Sequence, residues 1–109
     1  RQDVGDTRFS PSEIFVKEAM SLGAEINAHD PLVDHWDEMD MYLKTELPDT
    51  TDYDAIVFAV PHKEYLGINL NEWITNKRTL LFDANNVLSK KQVSEIKEND
   101  LNYISIGRG

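Results

Sequence analysis

The chain has 109 residues, 40% of them apolar, and 20 acidic against 11 basic side chains leave it a formal charge of -9. That is enough apolar material for a modest core in a single domain spanning residues 1–109, while the negative average repels phosphate backbones and anionic lipid headgroups and so argues against nucleic-acid and membrane partners. The absence of cysteine excludes disulfides, thiolate metal sites and a cysteine nucleophile within these residues.

No apolar run approaches the roughly 20 residues of a membrane span, and the first residues lack the apolar stretch of a secretory signal, so a cytoplasmic setting is expected. The first predicted element is a helix opened by Ser10-Pro11-Ser12-Glu13. Ser10 suits the cap, Pro11 the first helical position, and Glu13 the return arm of a capping box. Phe15, Val16, Ala19, Met20 and Leu22 recur at three- and four-residue steps and give this helix one apolar face, which Gly23 ends. Residues 24–31, AEINAHDP, read as a strand stopped by Pro31, and residues 32–52 as a short helix around Trp36–Leu43 followed by an acidic loop.

Residues 53–61, YDAIVFAVP, form a nearly unbroken apolar run suited to a strand buried on both faces. Tyr65, Leu66, Ile68, Leu70, Trp73 and Ile74 predict a helical connection interrupted near Gly67, and TLLFDAN (79–85) a further buried strand. SKKQVSEIKE (89–98) predicts a surface helix with Val93 and Ile96 inward, and NYISIG (102–107) the last strand. Apolar strands alternating with helices imply an α/β fold: a Rossmann-like three-layer α/β/α arrangement around a parallel sheet.

In such a sheet ligands bind beyond the carboxyl ends of the strands. The loops to weigh are His29-Asp30-Pro31, Pro61-His62-Lys63, Asp83-Ala84-Asn85-Asn86, Gly107-Arg108-Gly109, and the opening loop from Arg1 to Ser10. Each also has a plain structural reading; the Asp83 stretch, for instance, suits a side-chain-bonded turn. The three-glycine fingerprint of dinucleotide binding is absent, since the opening region offers only Gly5. His29, Asp30, Asp34, His35 and Asp37 match no zinc spacing and are better read as solvated surface groups. No serine lies on a nucleophile elbow, so no catalytic residue is assigned.

The ordered set GDTRFSPS, GAEINAHDP, VPHKEY, LLFDANNVL and YISIGRG resembles, nearly end to end, the C-terminal UDP-binding domain of the UDP-glucose/GDP-mannose dehydrogenase family. Asp6, Arg8, Ser10, Pro11, Asp30, Pro31, Phe82, Asp83 and Gly107 match the family pattern in order and spacing. The VPHKEY element, with His62 and Tyr65, looks more like the branch that oxidises UDP-N-acetylhexosamines than the UDP-glucose branch.

The resemblance implies a substrate-binding domain of an enzyme that oxidises the C6 alcohol of a UDP-sugar to the uronate, with NAD held by a separate N-terminal domain and the catalytic cysteine by a central one. This chain alone would then be inactive and without cofactor, its partners being the UDP-sugar, the other domains and further copies of the enzyme. It also implies that a first strand precedes Arg1, that Arg1 falls where a basic residue reaches the substrate, and that Arg1, Asp6, Arg8 and Asn85 form the substrate side. Arg8 either touches ligand or pairs with Asp6 or a neighbouring carboxylate. Asn85 stands near where the family often has an arginine, which departs from its pattern. A different class of reading stays open: a free-standing Rossmann-like module that binds a protein or small regulator.

Overall fold

The computed structural model describes residues 11–106. They fall into two compact units, one ending at Pro48 and one beginning at Asp49.

In the first unit, helix α1 runs from Pro11 to Ser21. It opens at proline, where a missing N–H costs nothing, and carries an i,i+4 ion pair in which Lys17 Nζ donates to Glu13 Oε2 at 2.9 Å. Its far end is closed as predicted. Gly23 takes a φ of +97°, its N–H donates to the Met20 carbonyl at 3.0 Å, and the Ala24 N–H reaches back to the Ala19 carbonyl at 3.1 Å. A left-handed residue with these two bonds satisfies carbonyls the helix leaves unpaired. The apolar face is largely open among the described residues: Val16 is buried, whereas Ile14, Phe15, Met20 and Leu22 are exposed.

Residues 24–31 do not form the expected strand. Among the described residues they pair through a parallel bridge between His29 and Lys44, with the Asp30 N–H on the Lys44 carbonyl and the Lys44 N–H on the Ala28 carbonyl. The helix expected around Trp36–Leu43 is likewise replaced. Strands β1 (His35–Trp36) and β2 (Met41–Tyr42) pair antiparallel around a single 3-10 turn, Asp37–Met39, which Asp40 ends at a φ of +47°. Aspartate tolerates that left-handed backbone better than most residues.

The second unit holds a parallel sheet of β3 (Ala55–Phe58), β4 (Leu80–Asp83) and β5 (Asn102–Ser105), in that order. A 3-10 stretch (Lys63–Gly67) and the one-turn helix α2 (Leu70–Trp73) connect β3 to β4, and α3 (Lys90–Glu98) connects β4 to β5. Parallel neighbours require such crossovers, and this is the expected Rossmann-like α/β arrangement. Register places Ile56, Leu81 and Tyr103 in one row and Phe58, Asp83 and Ser105 in the next row of the same face. On that face Phe58, Leu70, Ile74, Leu81, Val87, Leu88 and Ile96 form the core, and α2 packs beside α3.

Two buried threonines fasten the amino end of the sheet. Thr50 donates through Oγ1 to the Trp73 carbonyl at 2.6 Å, and Thr79 donates to the Tyr53 carbonyl at 2.9 Å. Helix α3 ends on Asp100 at a φ of +55°, with the Leu101 N–H on the Ile96 carbonyl at 3.1 Å.

Candidate functional site

At the carboxyl end of the sheet, β3 runs into Ala59-Val60-Pro61-His62 and β4 into Ala84-Asn85-Asn86. Asp83, the last residue of β4, is fully buried, and its carboxylate organises the turn beyond it. Oδ1 accepts the N–H groups of Asn85 at 3.2 Å and Val87 at 2.8 Å, and Oδ2 accepts that of Leu88 at 2.9 Å. Buried amides bound to a carboxylate are charge-assisted bonds, so one side chain fixes the path of the whole loop. The side-chain-bonded turn read from the sequence is therefore present, and Asp83 serves it internally.

That loop presents two asparagines outward. Asn85 is exposed and donates through Nδ2 to the Ala59 carbonyl at 3.2 Å, joining the ends of β3 and β4. Asn86 takes a φ of +55°. Deeper down, His62 is 1% exposed, with its ring edge-on to Tyr65 at 5.8 Å, and Tyr65 in turn meets Phe58 at 6.3 Å. The VPHKEY element thus packs under the lip of the site, and its histidine faces inward.

Sequence reasoning overlooked Gln92. It completes a capping box with Ser89: Ser89 Oγ accepts the Gln92 N–H at 3.1 Å and Gln92 Oε1 accepts the Ser89 N–H at 2.9 Å. Its Nε2 donates to the carbonyls of Tyr65 at 2.9 Å and Ile68 at 3.1 Å. The signal was available in the spacing Ser89-x-x-Gln92, the usual signature of a capped helix start.

Of the residues assigned to the substrate, Arg1, Asp6 and Arg8 lie outside the described residues, as do Ser10, Gly107 and Arg108. Asn85 is at the carboxyl lip, as expected for its position after β4. Asp30 closes its own loop, its Oδ1 accepting the N–H groups of Leu32 at 2.7 Å and Val33 at 3.1 Å. His29 Nε2 lies 3.1 Å from the Thr45 carbonyl. His35 donates through Nδ1 to Asp37 at 2.7 Å and faces Asp40 at 3.4 Å through Nε2. The hydrogen bond to Asp37 raises the His35 pKa above its ordinary value; desolvation opposes it, and the charge of Asp37 and then the contact with Asp40 add to the rise.

The described loops also bear on dinucleotide binding. A pyrophosphate needs backbone amides turned toward it. Here the amides of Asn85, Val87 and Leu88 are committed to Asp83, and neither the 59–62 nor the 84–89 loop contains glycine. Among the described residues, these two loops show no glycine-rich phosphate turn. Among the described residues no helix is long and apolar enough to cross a membrane.

The family model for the UDP-binding domain of the UDP-glucose/GDP-mannose dehydrogenase family matches residues 1–90. No curated protein and no solved structure matches the chain. The matched span takes in the opening loop, β3, β4 and the Asp83 turn. The chain belongs to the UDP-glucose/GDP-mannose dehydrogenase family, through its UDP-binding domain.

Proposed function

We propose that this domain binds the nucleotide end of a UDP-sugar in an NAD-dependent nucleotide-sugar 6-dehydrogenase that oxidises the sugar's C6 alcohol to the uronate. The family match over residues 1–90 carries the reading. Arg1, Asp6, Arg8 and Asn85 form the substrate side. An arginine brings several donors in a planar fork to phosphate or carbonyl oxygens, and locally offsets a chain of charge -9. Asn85 gives one amide N–H to the Ala59 carbonyl, and its Oδ1 and second N–H are the groups that meet a sugar hydroxyl or the uracil edge. Asp83 holds the backbone that carries this side chain, by accepting the Asn85 N–H.

The chemical step belongs to other domains of the intact enzyme. The chain has no cysteine, and on this reading NAD is held by a separate N-terminal domain and the catalytic cysteine lies in a central one. The intact enzyme works as a homo-oligomer in the cytoplasm, and its substrate belongs to the UDP-N-acetylhexosamine branch, a reading supported by the VPHKEY element.

Calorimetric titration of the full-length enzyme with UDP tests the reading. Arg1→Ala is expected to weaken UDP about tenfold and Asn85→Ala about threefold, as loss of a charge-assisted and a neutral hydrogen bond would. Unchanged UDP affinity in both variants overturns the assignment.

A further inference from the structure

We propose a second ligand site in this domain, for a small molecule carrying phosphate or carboxylate groups, in the cavity between α3 and the edge strand β5. The cavity has a volume of about 620 Å³ and is walled by Asn86, Lys90, Ser94, Lys97, Tyr103 and Ser105. That volume is in the range of small-molecule pockets. Lys90, Ser94 and Lys97 are spaced i, i+4, i+7 and so line one stripe of α3. Tyr103 and Ser105 alternate on β5 and stand on the sheet face that the helices cover.

The electrostatics single the cavity out. In a chain with 20 acidic and 11 basic residues, it gathers two ammonium groups and no carboxylate. The ion pairs among the described residues involve Lys17 and His35, so neither Lys90 nor Lys97 is neutralised there. Two serine hydroxyls and the Asn86 amide supply further donors. The Tyr103 side chain contributes to the cavity wall, while its hydroxyl is closed off from water. An anion seated in the cavity gives the two lysines a counter-charge. Flexible ammonium groups on a helix can converge on one anionic group or divide between two.

This site goes beyond the substrate reading, because the cavity excludes Asn85 and its lysines belong to neither opening nor closing loop. The test is calorimetry on the full-length protein with UDP present at saturation, titrating inorganic pyrophosphate and, separately, citrate. Binding of either, weakened at least tenfold by combined Lys90→Ala and Lys97→Ala and retained by the corresponding Arg pair, supports the site; the stronger of the two probes identifies the anion class. Both lysines are exposed and alanine is a good helix former, so the variant should fold, with circular dichroism as the check. Absence of binding by both probes, or binding unaffected by the alanine pair, overturns the proposal. So does an equal loss of UDP affinity in the alanine pair, which would merge the cavity with the substrate site. Failure of UDP to bind at all sinks the earlier reading while leaving the probe titrations interpretable.

Discussion

The two units spend their apolar residues differently. From Asp49 onward, Leu70, Leu81 and Ile96 are completely buried and belong to one continuous cluster. Before Pro48, Val16 and Trp36 are buried while Ile14 is 73% and Leu22 83% exposed. The second unit is a parallel sheet whose strands hold one another and are closed by helices; the first is a helix, a bridge and a two-residue ribbon. Burial in the second unit is thus a property of the sequence's own pairing. Among the described residues the apolar face of α1 buries Val16 and leaves Ile14, Phe15, Met20 and Leu22 exposed; an apolar pattern by itself does not create a partner.

The largest expected effect follows from truncating the second unit's centre. Leu81→Ala is expected to destabilise by about 3 kcal/mol in denaturant unfolding, the cost of lost transfer energy and a cavity, whereas Leu22→Ala should change stability by less than about 0.5 kcal/mol. Equal effects would erase the contrast between the units. Next comes the buried carboxylate. Asp83→Ala leaves the amides of Asn85, Val87 and Leu88 without their acceptor and should cost about 2 kcal/mol, with loss of hydrogen-exchange protection at Val87 and Leu88. Protection unchanged at both amides would show that the turn is held by something else.

The smallest effect sits on the first unit's ribbon. His35 has a folded pKa above its ordinary 6.5. The pair with Asp37 therefore contributes in full below that ordinary value and fades as pH rises through the folded pKa. Proton NMR titration of the His35 ring should give a pKa above 6.5, brought down by Asp37→Asn. A titration indifferent to that substitution would show that Asp37 does not cause the shift.

What the sequence made legible was local or densely apolar. The Gly23 stop, the interruption after Gly67, and the placing of β3, β4, α3 and β5 all follow from turn chemistry or from uninterrupted apolar runs. Residues 24–31 misled because alternation of AEINAHDP describes a strand only if a partner exists, and the partner found is one bridge to Lys44. Around Trp36 the helical reading lost to a reversal at Asp37–Met39, made possible by the left-handed Asp40. At the site, Asp83 was visible as a turn former, but its role as acceptor for three amides depends on complete burial, which no local pattern reports. The resemblance reached the family by ordered motifs spread over the chain, a kind of information independent of either periodicity.

Gln92 links the base of α3 to the carbonyls of Tyr65 and Ile68, while Asn85 links the exits of β3 and β4. The rim of the sheet is consequently a cross-braced frame. Its loop ends are thus fixed by side chains that come from three different segments of the chain, β4, the loop after it and α3.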